Sequence, residues 1–334
     1  MPVWNKEDLI CTIGGGTGTS VVLQALKKIP FLNLNAIISV SDSGGSTGRL
    51  RDEFGFLPVG DLRQALAAMA SNSKNEWIRQ LLLYRFEKGE GLQGHNLGNL
   101  ILTALQDMSG STVSALDIAS KIFQLRGSVI PITTQDIQII IKYIDGSVEV
   151  GEKALDEKKG GCKIVEIRTR PRVKLYKKAA EAIERASYII IGPGDLYASI
   201  MSNLIIGGVS KVIKKSRAKI IFIMNLMTKY TQTYGMSAKD QLTIIENTIG
   251  KKVDYILINI ENIPKSIEKL YLKDGDSPVI DDLGIDKRII RAKLVKPVKI
   301  VNLKYDSVHR SYLRHDPIKL EEILRKIICR EIRK

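Results

Sequence analysis

Four apolar runs in this chain stop abruptly in glycine, serine, asparagine or aspartate, and that recurrence constrains the fold more than any other feature. Leu9–Ile13 runs into Gly14–Ser20, Ala36–Val40 into Ser41–Gly48, Tyr188–Ile191 into Gly192–Asp195, and Ile220–Met224 into Asn225–Thr228. Continuous apolar runs without alternation are how strands buried on both faces read, as in a parallel sheet covered by helices. In an open sheet of that kind the strand C-termini line one edge, and ligands bind in the crevice there. The expectation is an α/β chain with a mainly parallel sheet flanked by helices.

Between the runs the spacing becomes helical. Val21–Lys28 is apolar at helical intervals and Pro30 ends it; an Ala/Leu-rich helix follows Gly60-Asp61, and further helices are expected over 76–86, 100–108 and 111–125. Asp145-Gly146, flanked by Gln138–Tyr143 and Ser147–Val150, is a strong hairpin signal. With Lys163–Thr169 as a further strand, residues 130–175 read as an antiparallel excursion, with Lys158-Lys159-Gly160-Gly161 as its tip loop. Helices over 173–185, 198–215 and 238–249 and a strand over 253–258 complete the pattern. No repeat, low-complexity linker or boundary appears, so residues 1–334 read as one domain, with 250–334 as a C-terminal subregion closing the site.

The 334 residues are 44% hydrophobic, enough for a large core. No run of eighteen apolar residues occurs, the N-terminus lacks a charged-then-apolar signal, and Cys11, Cys162 and Cys329 form no CxxC. A cytoplasmic protein with no membrane span is expected. The net charge of +15 is uneven: residues 1–100 hold 10 basic and 9 acidic groups, and the remainder holds 41 and 27. Those basic groups are dispersed, aromatics make up 6%, and no nucleic-acid reader motif is present, so a solvated lysine-rich surface is favoured over a nucleic-acid partner.

The loops suit anionic oxygen. Glycines 44, 45 and 48 let backbone N–H groups approach closely, Ser43, Ser46 and Thr47 supply hydroxyls, Arg49 and Arg51 can clamp phosphate, and Asp42 can hold a metal or a sugar hydroxyl. No lysine follows Gly14-Gly15-Gly16-Thr17-Gly18, which disfavours a P-loop. Gly14 and Gly16 fit the first two places of a dinucleotide fingerprint but Thr19 takes the third. Asp42 at the second strand's end keeps a nicotinamide enzyme open, although a ribose contact does not require so glycine-rich a loop. Two phosphate-type loops side by side suit a diphosphate. No Ser/His/Asp or Cys/His nucleophile stands out. His95, Asn96 and Asn99 are either ligand contacts or a helix-capping turn with structural amides, and Asp61 is either a metal ligand or an N-cap.

Together these segments resemble the CofD/YvcK superfamily, and more closely its gluconeogenesis-factor branch. The resemblance rests on Gly14–Gly18, Ser41–Arg51, Leu57–Arg63, Gly94–Leu100, Gly192–Tyr197 and Asn225–Thr228, in that order and spacing. It implies a modified Rossmann-like fold and a protein that binds UDP-N-acetylglucosamine and is needed for cell shape and envelope integrity on gluconeogenic carbon sources; the other branch implies a magnesium-dependent 2-phospho-L-lactate transferase. Two departures matter. The family often shows two adjacent acids where this chain has Asp42-Ser43, and its Gly-Pro-Gly-Ser is Gly-Pro-Gly-Asp here. Losing one carboxylate weakens a metal site at that loop, and Asp195 on the neighbouring strand end stands to compensate.

The resulting expectation is a nucleotide-sugar-binding regulator, with a phospholactate-transferase-like enzyme as the alternative. The diphosphate would lie over Gly14, Gly15, Gly16, Thr17 and Gly18 and over Gly44, Gly45, Ser46 and Arg49. Asp42, Asn96 and Asn225 would touch ribose or sugar, and His95, Asn99, Gly192, Gly194 and Asp195 would complete the pocket. Tyr271 would stack on uracil and Arg314 would reach a phosphate. Asp42 and Asp61 are the candidate Mg²⁺ ligands, and protein partners in envelope synthesis and a homo-oligomer are compatible with this reading.

Overall fold

The computed structural model describes residues 9–30, 32–70, 76–125, 127–158, 160–297 and 311–331. Lys159 of the expected tip loop, and residues 298–310 and 332–334 of the expected C-terminal subregion, lie outside them.

Seven strands form one parallel sheet: β1 (Leu9–Gly14), β2 (Asn33–Ile38), β3 (Ser128–Pro131), and, after an excursion, β7 (Tyr188–Ile191), β8 (Lys219–Ile223), β9 (Tyr255–Asn259) and β10 (Ile289–Ala292). Their spatial order is β10-β9-β8-β7-β1-β2-β3, and every neighbouring pair is parallel. Ile189, Ile190 and Ile191 are fully buried, as the unbroken apolar run requires of a strand covered on both faces. From β1 the chain works outward through β2 and β3; from β7 it works outward the other way. The strand order therefore reverses between β1 and β7, and the crevice of a doubly wound sheet opens at that reversal.

Helices begin almost at once after the strands. The structure starts α1 (Gly16–Leu26) five residues earlier than Val21, and α2 (Gly45–Phe54) absorbs most of the expected phosphate loop. Gly16, Gly18 and Gly45 have not disfavoured helix here because they occupy first turns, where the N–H groups have no intrahelical partner in any case. Next come α3 (Gly60–Met69), α4 (Glu76–Leu83), α5 (Leu97–Ser109) and α6 (Thr112–Ile122). α1 packs against α3 and against the C-terminal helix Pro317–Glu331.

The excursion is narrower than 130–175. Residues 128–131 are the seventh parallel strand, and the antiparallel unit consists of β4 (Gln138–Tyr143), β5 (Val148–Val150) and β6 (Ile164–Arg170) in the order β5-β4-β6. Its Asp145-Gly146 turn is where expected, with Gly146 at φ +85° and Ser147 N–H donating to Asp145 Oδ1 at 2.9 Å. Between β5 and β6 lies the short helix α7 (Glu152–Glu157). The helix expected over 173–185 is confined to α8 (Lys177–Arg185); Lys174 instead makes a parallel bridge to Gly207. The stretch 198–215 is broken at Gly207-Gly208 into a π-helical turn over Leu196–Met201, a short helix over Ser202–Leu204 and a helix over Val209–Lys215. Among the described residues, no helix is long and apolar enough to cross a membrane.

Candidate functional site

Gly15 alone separates β1 from α1. A Cβ there would overlap Asp61 Oδ2, and the Gly16 backbone N–H donates to the Asp61 carboxylate. Gly18, one turn into α1, is pressed against the carbonyl of Pro193, so a side chain there would overlap the backbone of the loop after β7. This is the crevice at the strand-order reversal, closed to a width that only glycine allows.

Asp42 reaches the same place from the loop after β2. Its Oδ1 accepts from Gly44 N–H at 2.9 Å, and a Cβ on Gly60 would overlap its Oδ2. Asp61 is not an N-cap: α3 starts at Gly60, its cap residue is Val59, and no side chain caps it. Its carboxylate faces Gly15 and Gly16 across the crevice instead. The N-termini of α1, α2 and α3, with the partial positive charge of their unpaired N–H groups, thus gather around two carboxylates.

More acids converge from the excursion. α7 carries Glu152 and Asp156 one turn apart, and both feel the charges of the strand-end acids. Burial raises the Asp42 pKa, opposed by Gly44 N–H, the Thr47 hydroxyl, Arg63 and Arg51. Burial and then the neighbouring Asp42 charge push Asp61 up to about 7. Glu152 is raised well above the carboxylate range by burial and by Asp42, Asp61, Asp156 and Asp195. Asp42, Asp61 and Glu152 nonetheless keep partial solvent exposure, so they are not part of the core. Repulsion of this kind is relieved by protons or by a cation.

The cation already present is Lys229. Its Nζ stands 2.6 Å from Asp156 Oδ1 and 2.6 Å from Asp195 Oδ2. Burial alone would lower its pKa, but Asp195 and Asp156 raise it above the ordinary lysine value. Gln232 reinforces the junction: Nε2 donates to Asp156 at 3.2 Å, and Oε1 accepts from the N–H groups of Tyr197 and Ala198 at 3.2 Å each. Asp195 is therefore occupied by Lys229, and its role beside Asp42 is shared with that ion pair.

Other expected contacts have their polar atoms engaged within the protein. His95 Nδ1 lies 3.2 Å from Ser46 Oγ, and burial followed by the Arg49 charge lowers its pKa. Asn96 Oδ1 caps α5 by accepting from Asn99 N–H at 3.2 Å. Asn99 Nδ2 donates to Ser46 Oγ at 3.2 Å and Thr47 Oγ1 at 3.3 Å, while its Oδ1 accepts from Arg63 Nε at 2.7 Å. The three residues form a buried brace beneath the first turn of α2. Asn225 pairs with the Gly194 backbone in both directions, at 2.9 and 2.7 Å, joining the loops after β7 and β8. Arg49 is exposed and donates to the Gln93 carbonyl at 3.3 Å; Arg51 pairs with Asp136 at 2.7 Å.

Tyr271 and Arg314 belong to a second small cluster. The Tyr271 hydroxyl accepts from Leu313 N–H at 3.0 Å, and its ring meets Tyr312 edge-on at 5.4 Å. Arg314 sits in β12 (Leu313–His315), opposite Lys296 of β11 (Val295–Pro297). His315, wholly buried beside Met224 at the end of β8, has its pKa lowered to about 4 because burial disfavours the imidazolium.

Sequence reasoning missed Glu152, Asp156, Lys229, Gln232 and Arg63. The one local signal was Glu152 and Asp156 at helical spacing after a glycine, and it reads equally well as a solvated helix face. A shallow recess of about 340 Å³ opens on the other side of the Asp42 loop, between α2 and the excursion, lined by Ser43, Arg51, Gln138 and Lys153. It adjoins the acid cluster without containing it.

The chain matches the family model described as 2-phospho-L-lactate transferase CofD over residues 10–299. It is similar to the gluconeogenesis factor of Halalkalibacterium halodurans, 36% identical over 322 residues covering 96% of each chain. It is also similar to the gluconeogenesis factor of Bacillus subtilis, 35% identical over 320 residues covering 96% of this chain and 98% of that one. A crystal structure of a UPF0052 family member from Bacillus halodurans superposes with a TM-score of 0.84 at 35% identity, covering 95% of this chain and 99% of that chain.

Proposed function

This chain belongs to the CofD family, and from that premise we propose that it is a regulator that binds a nucleotide sugar, UDP-N-acetylglucosamine, and supports cell shape and envelope homeostasis during growth on gluconeogenic carbon. The observation that carries the reading is the meeting of Asp42, from the loop after β2, and Asp61, from the first turn of α3, at the converging N-termini of α1, α2 and α3. Backbone N–H groups at helix N-termini hold phosphate oxygens. The acids beside them would repel a diphosphate unless a divalent cation lay between.

The donor set fits Mg²⁺. This ion takes hard oxygen ligands and binds through one or two carboxylates, completing its shell with phosphate oxygens and water. Asp42 and Asp61 would hold it. The ion would neutralise the diphosphate and the carboxylate pair together. Calorimetry with UDP-N-acetylglucosamine tests the proposal: binding in Mg²⁺, weakened at least about tenfold by chelator or by Asp61→Asn, is expected. No heat at millimolar ligand overturns it.

One observation favours a second reading, an enzyme transferring a phospholactyl-type group. Asp61 has a pKa of about 7, where a carboxylate serves best as a general base near neutral pH. Mg²⁺-dependent product formation that is lost in Asp61→Asn would establish it, and turnover unchanged by that substitution would dismiss it.

A further inference from the structure

Basic groups that are dispersed along the chain come together at one edge of the sheet. The helices before β7, β8 and β9 end at Arg185, Lys215 and Ile249, and those strands begin at Tyr188, Lys219 and Tyr255. The three strands are parallel neighbours. Their incoming connections therefore lie side by side, about 5 Å apart from strand to strand, on the edge opposite the crevice. Side chains tie these connections together. Lys251 Nζ donates to the Ser216 carbonyl at 2.9 Å, Ser216 Oγ donates to the Ile183 carbonyl at 3.0 Å, and Lys214 lies across Gly250, where a Cβ would overlap its side chain.

Residues 214–219 carry four bases and no acid, and Arg185, Lys251 and Lys252 join them. Lys251 is half-buried and the others are exposed. Three acids answer them. Asp254 pairs with Lys219 at 3.0 Å, Glu246 pairs with Lys252 and is shared with Arg288, and Glu184 is exposed beside Arg185. A base near each helix C-terminus complements the macrodipole, but four in six residues exceed that need.

We propose that this edge is a docking surface for an anionic lipid bilayer. Lysine predominates, and its compact, hydrated charge suits the diffuse negative potential of a headgroup layer. A nucleic-acid reader would use arginine forks and stacking rings, and the three connections hold no aromatic residue. Their one large apolar side chain, Val253, is buried, so the chain adsorbs through charge without inserting, and salt reverses the contact. The crevice, at the other edge, stays open to water in that orientation.

Co-sedimentation of the full chain with vesicles tests this. Binding is expected to vesicles of about 30% phosphatidylglycerol in phosphatidylcholine at about 0.05 M salt, at least about tenfold weaker at about 0.5 M, and absent with pure phosphatidylcholine. The triple variant Lys214→Glu, Lys215→Glu, Arg217→Glu should bind at least about a hundredfold more weakly, on the scale of about fivefold per base removed. Glutamine at the same three positions removes the charge without adding repulsion and should act in the same direction. Circular dichroism and urea midpoints that match the wild type show that these variants fold. Lys265→Glu, Lys269→Glu, Lys273→Glu makes the same change of net charge on the exposed helix Lys265–Lys273 that follows β9, and should leave binding within about threefold. A wild type that ignores the phosphatidylglycerol vesicles, whether or not it shifts an oligonucleotide, overturns the proposal. Equal loss in the two glutamate triples does so too, since net charge and not this edge would then decide.

Discussion

Lys229 and Asp156 meet at 2.6 Å although 73 residues separate them, and their ion pair ties the antiparallel excursion to the edge of the parallel sheet. The same ammonium holds Asp195 of the loop after β7. Without it, two carboxylates would face one another beside three more. Lys229→Met is expected to lower stability by only about 1 kcal/mol, since all three groups keep contact with solvent and screening is substantial. Its local effect is larger. Amide exchange in α7 and β5 should accelerate while β1 and β7 stay protected, and equal protection everywhere would mean that Lys229 does not hold the excursion in place.

The acid cluster predicts an inverted pH response. Asp61 titrates at about 7 in the folded chain against an ordinary value of 3.8, so between those values the native state holds a proton that the unfolded state has lost. Its contribution is complete below the unfolded value and is lost as pH rises through about 7. His315, lowered to about 4, works in the opposite direction below pH 6.5, so the Asp61 contribution is read as a difference. Relative to Asp61→Asn, the wild type should gain about 2 kcal/mol in urea unfolding as pH falls from 8 to 4. A constant difference across that range would show that Asp61 is not perturbed.

Gly18→Ala addresses the crevice directly. The new methyl group meets the Pro193 carbonyl, and backbone cannot swing aside as a flexible side chain can. A loss of about 2–3 kcal/mol is expected, typical of overpacking. Gly15→Ala meets the Asp61 carboxylate instead; it should cost less stability and weaken UDP-N-acetylglucosamine binding more. Chemical denaturation and calorimetry on the two variants separate these outcomes, and the reverse ranking would place the ligand elsewhere.

Asn99→Ala removes the centre of the buried brace. Arg63 Nε loses its acceptor at 2.7 Å, and the Ser46 and Thr47 hydroxyls lose a donor. Leaving a buried guanidinium partly unpaired costs about 3 kcal/mol. The urea midpoint should fall accordingly, and a change under about 0.5 kcal/mol, the level of a neutral surface substitution, would remove the brace from the account.

Much of this is legible in the sequence. The isoleucine-rich runs demanded two covered faces, hence a parallel sheet, and the glycines that follow them marked its ligand edge. Asp145-Gly146 located a hairpin because its turn chemistry is local. The boundaries of α1 and α2 were not legible, since a first-turn glycine gives up no intrahelical bond and reads as loop. The sequence around His95, Asn96 and Asn99 reads equally as ligand contact or cap, because either use asks for the same amides.

By itself, the sequence determined five of the seven parallel strands (β1, β2, β7, β8 and β9, but not the edge strands β3 and β10), that the C-terminal ends of the first four would share an edge, and that Asp42 would stand there among backbone N–H groups. Those are consequences of periodicity and of single residues. Only the tertiary structure decided what surrounds that aspartate. It brought Asp61 across from α3, carried Glu152 and Asp156 in from a separate sheet, and set Lys229 between two of the acids. The physical reason is that charge acts through space at a few ångströms, whereas sequence pattern reports only neighbours along the chain.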